Sequence, residues 1–275
     1  MPLFIAVKRS CLTFLCGGLL TLSLPAATEQ AASPFAGYRL VDMTHAFDED
    51  TIYWPTEAPF EHSERFRGQT EGGWYYTAYR VDTAEHGGTH LDAPVHFAEG
   101  RWAADEIPLS ALFTPAVVID VSEAALANPD YRLDLAAVRE WEAEHGPIPR
   151  GAAVLMHTGY ARFWPDRVRY MGTAARGPEA VAELHFPGFS LAAARFLLME
   201  RGIVSVGLDT PSIDYGQSTD FAVHRYLYEN NVLGFENVTN LDQLPPRGGF
   251  IVALPMKIRG GSGGPLRIIG LIPES

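Results

Sequence analysis

The chain has 275 residues, 47% of them hydrophobic, which suits one large domain with an ample core. Its 33 acidic and 21 basic residues give a formal charge of −12, arguing against nucleic acid and anionic membrane surfaces as partners. Both cysteines, Cys11 and Cys16, lie near the N-terminus, so past them disulfides, thiolate metal sites and cysteine nucleophiles are excluded.

Residues 1–27 read as a secretory signal. Lys8 and Arg9 precede an apolar run from Cys11 to Leu24, and the small residues Ala26 and Ala27 follow. The run is shorter than the roughly 20 residues of a membrane span, and no lipobox follows it. Cleavage near Ala27 is therefore expected, with an exported product, periplasmic or secreted, that has no stable membrane anchor. A polar, Ala-rich linker covers residues 28–37, and one domain covers 38–275. Within it, runs rich in Val, Ile and Tyr and bounded by Gly, Pro or Asp predict strands at 38–44, 74–83, 116–121, 152–157, 203–209, 250–254 and 267–272. Asp134 is placed to cap a helix running to His145 and ending at Gly146. Ser190 is placed to cap one running to Arg201 and ending at Gly202, and a third helix covers about 219–230. Interspersed strands and helices, with strands alone at both ends, predict a mixed α/β domain rather than a regular βαβ series. Residues 162–183 are polar, carry Pro and Gly, and read as a surface insertion.

The densest chemistry lies in twelve residues, His86-Gly-Gly-Thr-His90-Leu-Asp92-Ala-Pro94-Val-His96-Phe97. His86, His90, Asp92 and His96 share one parity, so an extended chain turns them to one face and Leu91, Ala93, Val95 and Phe97 to the other. In a flat strand His86 and His90 would stand roughly 13 Å apart, too far to share an ion. Gly87 and Gly88 predict a kink that brings them together with Asp92. A helix is disfavoured by the two glycines and Pro94. Three histidines and an aspartate so close together favour a metal site over a polar loop. His96, set beyond Pro94, is by spacing either a further ligand or a general acid/base beside the ion.

Elsewhere, Phe221, His224, Leu227 and Tyr228 share a face of the third predicted helix. Alone, such a histidine is more often a core residue than a ligand. Glu236 follows turn signals and adjoins Phe235, and a buried carboxylate there needs a cation or a proton. The run Gly260–Gly264 formally matches the G-x-S-x-G nucleophile pattern around Ser262. A strand-like stretch follows instead of a helix, which argues against a nucleophile. Aromatic residues cluster at Tyr53, Trp54, Phe60, Phe66, Trp74, Tyr75 and Tyr76, most of them expected in core or sheet. Trp54, beside Pro55, is the candidate to stack on an aromatic substrate.

The twelve-residue stretch resembles the H-x-G-T-H-x-D-x-P-x-H signature of the cyclase-like metal hydrolases, a family that includes bacterial kynurenine formamidase and isatin hydrolase. Residues 206–214, 236–245 and 257–267 resemble its later segments. The resemblance implies a mixed α/β fold of the swivelling β/β/α type, with a central mixed sheet or barrel, a few packed helices and usually an oligomer. Carried over, His86, His90 and Asp92 would hold a first metal. His224 and Glu236 would complete a second through a bridging Asp92, and His96 would be the catalytic acid/base. The implied cofactor is a divalent ion, Zn2+ or Mn2+, two per chain. The implied activity is hydrolysis of a small aromatic amide, closest to an arylformamidase converting N-formylkynurenine to kynurenine and formate. Opening of a cyclic amide or lactone, as by isatin hydrolase, is the alternative. An exported metal- or small-acid-binding protein without catalysis is the alternative of another class. Asp209 and Asp214 are candidates either to orient metal-bound histidines or to stabilise a turn.

Overall fold

In the computed structural model, residues 34–274 are described. The expected signal and most of the linker, with Cys11 and Cys16, lie outside the described residues. From Gly37 onward the chain forms one compact unit.

The elements in order are β1 (Tyr38–Asp42), β2 (Glu61–Gln69), β3 (Tyr75–Asp82), β4 (His90–Asp92), α1 (Leu109–Leu112), β5 (Phe113–Asp120), α2 (Ser122–Ala127), β6 (Arg132–Leu133), α3 (Leu135–His145) and β7 (Ala153–His157). Then follow α4 (Arg167–Met171), β8 (Gly188–Phe189), α5 (Leu191–Phe196), β9 (Ser205–Leu208), α6 (Ala222–Tyr228), β10 (Leu233–Glu236), β11 (Gly249–Pro255) and β12 (Gly263–Pro273). The main sheet runs β1-β12-β11-β5-β7-β9-β10-β4, and a β12–β4 pairing closes it. Seven strands thus form a mixed barrel, with β1 appended to β12. Neighbours from β5 through β10 are parallel and the other pairs antiparallel. No helix among the described residues is long and apolar enough to cross a membrane.

Strands β5, β7 and β9 are apolar on both faces, as strands covered on both sides must be. Ala116, Val118, Ala153 and Leu155 point into the barrel, with Phe235, Ile251 and Ile268 from other strands. Val117, Ile119, Val154, Met156, Val206 and Leu208 point outward under Val138, Trp141, Ala194, Leu197 and Leu227 of the helical layer. At about 1.5–3 kcal/mol per fully buried large apolar side chain, these two layers dominate the drive to fold. Helix ends follow the capping rules. Asp134 accepts from the Ala137 amide and Gly146 ends α3 at φ 81°. Ser190 accepts from the Ala193 amide, and α5 continues as a π-helical stretch, Leu197–Arg201, that ends at Gly202 with φ 62°.

Several expectations need correction. β2 and β10 were not anticipated, the first because Glu61–Gln69 is mostly polar, the second because it is only four residues long. Phe221 does not lie on the third helix; it precedes it in the left-handed region at φ 48°. Residues 162–183 are no loose insertion. They contain α4, and Tyr170 and Met171 pack with Ile52, Tyr160, Leu184 and Phe186 in a small core of their own. Phe66, Tyr75 and Tyr76 are sheet residues as expected, and they are exposed.

Candidate metal centre

The predicted bend forms at Gly88, whose φ is 56°, while a side chain at Gly87 would run into the Tyr53 ring. The bend turns His86 back toward β4, the strand that carries His90 and Asp92. Antiparallel pairing of β10 with β4 sets Glu236 directly opposite His90. Helix α6 lays His224 over the same point. Two groups of ligand atoms result, His86–His90–Asp92 and Asp92–His224–Glu236, the atoms within each lying within 4.8 Å of one another. Asp92 belongs to both. Spacing alone joined the first three residues; the barrel joins the other two to them.

Hydrogen bonds on the outer side of each imidazole identify its inner nitrogen. His90 Nδ1 donates to the Gly88 carbonyl, at 3.0 Å. His224 Nδ1 donates to Asp214 Oδ2, at 2.7 Å. Ser262 Oγ donates to Glu85 Oε2 at 2.6 Å, so it accepts from His86 Nε2 at 2.8 Å. These tautomers follow from the network of partners. Each ring then directs its remaining nitrogen at carboxylate oxygens. His86 Nδ1 is 2.7 Å from Asp92 Oδ1, and His90 Nε2 is 3.1 Å from Asp92 Oδ1 and 3.4 Å from Glu236 Oε2. His224 Nε2 is 3.4 Å from Asp92 Oδ2 and 3.2 Å from Glu236 Oε1. Lone pairs facing lone pairs at these distances require positive charge between them. His90 Nε2 is buried and aligned with neither neighbouring oxygen well enough for a hydrogen bond.

Protonation shows the same deficit. Burial by itself would lower the His90 imidazole, but Asp92 and Glu236 outweigh it and hold it up at about 10. Burial would likewise lower His224, yet Asp214, Asp92 and Glu236 raise it well above the usual value. Burial would raise Asp92, and His86, His224 and His90 instead hold it well below the carboxylate range. Buried carboxylates that stay ionised and hold neighbouring imidazoles protonated so tightly are equally a site for divalent cations. With outer nitrogens fixed and inner ones converging on carboxylates, the donor set fits such ions.

His96 lies outside both ligand groups. Its ring stacks on His86, centroids 3.8 Å apart at 19°, and burial pushes it down to about 4. It lines a cavity of about 240 Å3 together with the five candidate ligands and Trp54. The apolar wall includes Ile52, Phe97 and Phe221. Trp54 faces Phe221, with centroids 6.4 Å apart.

Some residues of the site had no role in it assigned from sequence. Tyr228 donates its hydroxyl to Asp92 Oδ2 at 2.8 Å, and the Ile213 amide donates to Glu236 Oε1 at 2.9 Å. Ser262 supports His86 across 176 residues of chain, and Glu85, next to His86, holds Ser262 in turn. The glycine loop before β12 was the available clue, since Gly263 pairs with Asp92. Of the two orienting candidates, Asp214 holds His224. Asp209 instead accepts from the Thr158 amide and hydroxyl and the Ala161 amide, and so ties down a loop.

Comparison with known proteins agrees with this geometry. The Cyclase family model matches residues 41–215. Isatin hydrolase of Roseibium aggregatum is 34% identical over 199 residues, covering 70% of this chain and 73% of that one. Kynurenine formamidase of Salinibacter ruber is 29% identical over 237 residues, covering 84% and 96%. The structure of isatin hydrolase A from Labrenzia aggregata bound to benzyl benzoate superposes with a TM-score of 0.78 at 34% identity, over 87% of this chain and 95% of that one. The chain belongs to the Cyclase family, whose fold and amide-hydrolase relatives it shares.

Proposed function

We propose that this protein is a metal-dependent hydrolase of the carbon–nitrogen bond in small aromatic amides. The observation that carries the proposal is the convergence of three inner imidazole nitrogens on the carboxylates of Asp92 and Glu236. His86, His90 and Asp92 would hold one divalent ion, and Asp92, His224 and Glu236 a second, Zn2+ or Mn2+. When bound, the ions supply a Lewis acid for the amide carbonyl and lower the pKa of a bound water toward about 7.

The chain's own residues do the rest. Tyr228 holds one oxygen of Asp92, and Asp214 fixes the ring of His224. Trp54, Phe97 and Phe221 hold an aromatic ring and exclude water. An aniline-type nitrogen leaves poorly unless protonated. His96, neutral and lining the cavity, is placed to take a proton from the attacking water at its free ring nitrogen and return it to that nitrogen.

Two substrates fit this chemistry, the acyclic N-formylkynurenine of an arylformamidase and a cyclic amide such as isatin. The cavity favours the compact, cyclic one. Its volume lies below the ~300–1,000 Å3 of common ligand pockets, and among the described residues no arginine or lysine lines it to receive an amino-acid carboxylate. The higher identity to isatin hydrolase points the same way. Both amides assayed side by side, with and without chelator, test the proposal. Chelator-sensitive turnover of either one supports it; bound metal without turnover across amides and lactones leaves the binding-protein alternative. We further propose that the chain is exported, on the strength of Lys8, Arg9 and the apolar run after them, and that it works as a homo-oligomer. An exported product that still begins at Met1, read by mass spectrometry, would refute the signal.

A further inference from the structure

Outside the candidate ligands and His96, few polar groups line the cavity, and most of these are already committed. The Tyr53 hydroxyl is bonded to that of Thr83 at 2.6 Å. Asn237 donates its side-chain nitrogen to the Gly88 carbonyl at 2.7 Å and accepts from the Tyr170 hydroxyl at 3.0 Å. Trp54 is half-buried and Glu57 exposed, so water reaches both. Ser212 differs from all of these. It lines the cavity, it is only 5% exposed, and its hydroxyl has no hydrogen-bond partner among the described residues. Nor is that hydroxyl sealed inside the protein. Buried polar groups in folded proteins are almost always paired. A hydroxyl left over on a cavity wall is paired by what enters the cavity.

The turn that carries Ser212 is held from both sides. Pro211 fixes the backbone before it. The Thr210 hydroxyl donates to the Pro187 carbonyl at 3.0 Å, and the Ile213 carbonyl accepts from the Phe189 amide at 2.8 Å. The Ile213 amide holds Glu236 Oε1 at 2.9 Å, and Asp214 accepts the amides of Val223 and His224. The next residue in the chain thus bonds one candidate ligand, and the one after it anchors another. Ser212 is thereby fixed beside the metal centre, as a group that binds substrate must be. No histidine nitrogen bonds its hydroxyl, so nothing activates it as a nucleophile. What it offers is a hydrogen bond.

We propose that Ser212 binds the substrate, donating its hydroxyl to a ketone on the ring carbon next to the one that bears the scissile nitrogen. This rests on the amide-hydrolase reading and narrows its substrate class. The attacked carbonyl belongs to the metal centre, the leaving nitrogen to His96, and the aromatic ring to Trp54, Phe97 and Phe221. A further acceptor on the substrate finds Ser212 as the buried donor still free. Among the described residues no arginine or lysine lines the cavity, so a carboxylate would enter unpaired, whereas a neutral carbonyl needs only one donor. Isatin and N-formylkynurenine differ in ring closure and in charge, yet both carry a ketone at that ring position. A site built to hydrogen-bond a substrate group discriminates against analogues that lack it, because its own polar group is then left unpaired.

Steady-state hydrolysis by the metal-loaded protein tests this with two matched amides and with isatin beside them. N-(2-acetylphenyl)formamide carries the ketone, and formanilide lacks it. Ser212→Ala should shrink the kcat/KM preference for the acetyl compound over formanilide about tenfold, mostly through KM, with metal content and circular dichroism unchanged. The preference for isatin over formanilide should shrink alike. Comparing two enzymes on each substrate cancels the intrinsic reactivity of the amides. Ser212→Cys, close in shape but a weak donor, should give the same pattern and serves should Ser212→Ala fold poorly. An unchanged preference, whether both rates fall together or neither falls, overturns the role of Ser212 and leaves the hydrolase reading standing. A wild type that binds metal but turns over none of the three amides overturns both.

Discussion

His86 poses the sharpest question at the scale of single residues. Its two nitrogens link Ser262 Oγ, at 2.8 Å, to Asp92 Oδ1, at 2.7 Å, which by distance alone is a serine–histidine–aspartate chain. The direction of the protons decides against a nucleophile. Ser262 gives its hydroxyl proton to Glu85 and accepts from His86, the reverse of what an attacking serine needs, and it does not line the cavity. Ser262→Ala should therefore loosen the metal by about 10–100-fold yet keep kcat within about tenfold at saturating metal. A loss of 10⁴-fold or more under saturation would restore the nucleophile reading. Asp214→Asn removes the charge that fixes His224, with a similar 10–100-fold loss of metal affinity expected by titration calorimetry. His96→Ala should leave metal content intact and lower turnover by about 10²–10⁴-fold. If elemental analysis instead finds that variant short of metal, His96 is a ligand.

Residues 162–183, at the scale of elements, act as a brace for the substrate wall. The Arg167 Nη1 donates to the Tyr53 carbonyl at 3.0 Å, and the Gly177 amide donates to the Pro55 carbonyl at 2.9 Å. Behind them Trp54 sits edge-on to Phe186, centroids 6.4 Å apart. Arg167→Ala should free the stretch 52–57, raising KM about tenfold with kcat within about twofold, because uniform binding is lost and the reacting groups are untouched. Arg167→Lys should recover part of the loss. Hydrogen exchange in a peptide covering 52–57 gives a readout apart from activity; unchanged protection there would refute the brace. This contact was illegible in the sequence, since 114 residues separate Arg167 from Tyr53. What was legible had short-range causes. Caps at Asp134 and Ser190 and the glycine stops located two helices, and apolar runs located β5, β7 and β9. The bend at Gly88 was readable because glycine alone enters that region cheaply. β2 carries polar side chains on both faces and so offers no periodic signal, while Phe221 in a left-handed conformation has no sequence signature at all. The ligands from β4 were plain from spacing. His224 and Glu236 gained weight only by resemblance, because barrel closure, not proximity in sequence, brings them in.

The acid sensitivity of the whole fold can be traced in part to one histidine away from the metal centre. His45 lies flat on Trp164, centroids 4.2 Å apart at 8°, and its Nε2 is buried with no hydrogen-bond partner among the described residues. Burial lowers it from 6.5 to about 4. In the unfolded chain it takes up a proton near 6.5, so between these two values the unfolded state binds more protons than the folded one. Stability must then fall as pH drops through that window, and the shift corresponds to about 3 kcal/mol once the pH is below 4. Metal release contributes to acid unfolding as well, but equally in a variant that leaves the ligands alone. His45→Phe keeps the flat contact with Trp164 and removes the titrating group. Urea unfolding at intervals from pH 7 to pH 4 should show the wild type losing about 3 kcal/mol more than this variant, nearly all of it below pH 6.5. Parallel curves for the two proteins would mean that His45 is protonated without cost, and that the carboxylate cluster alone sets the acid limit.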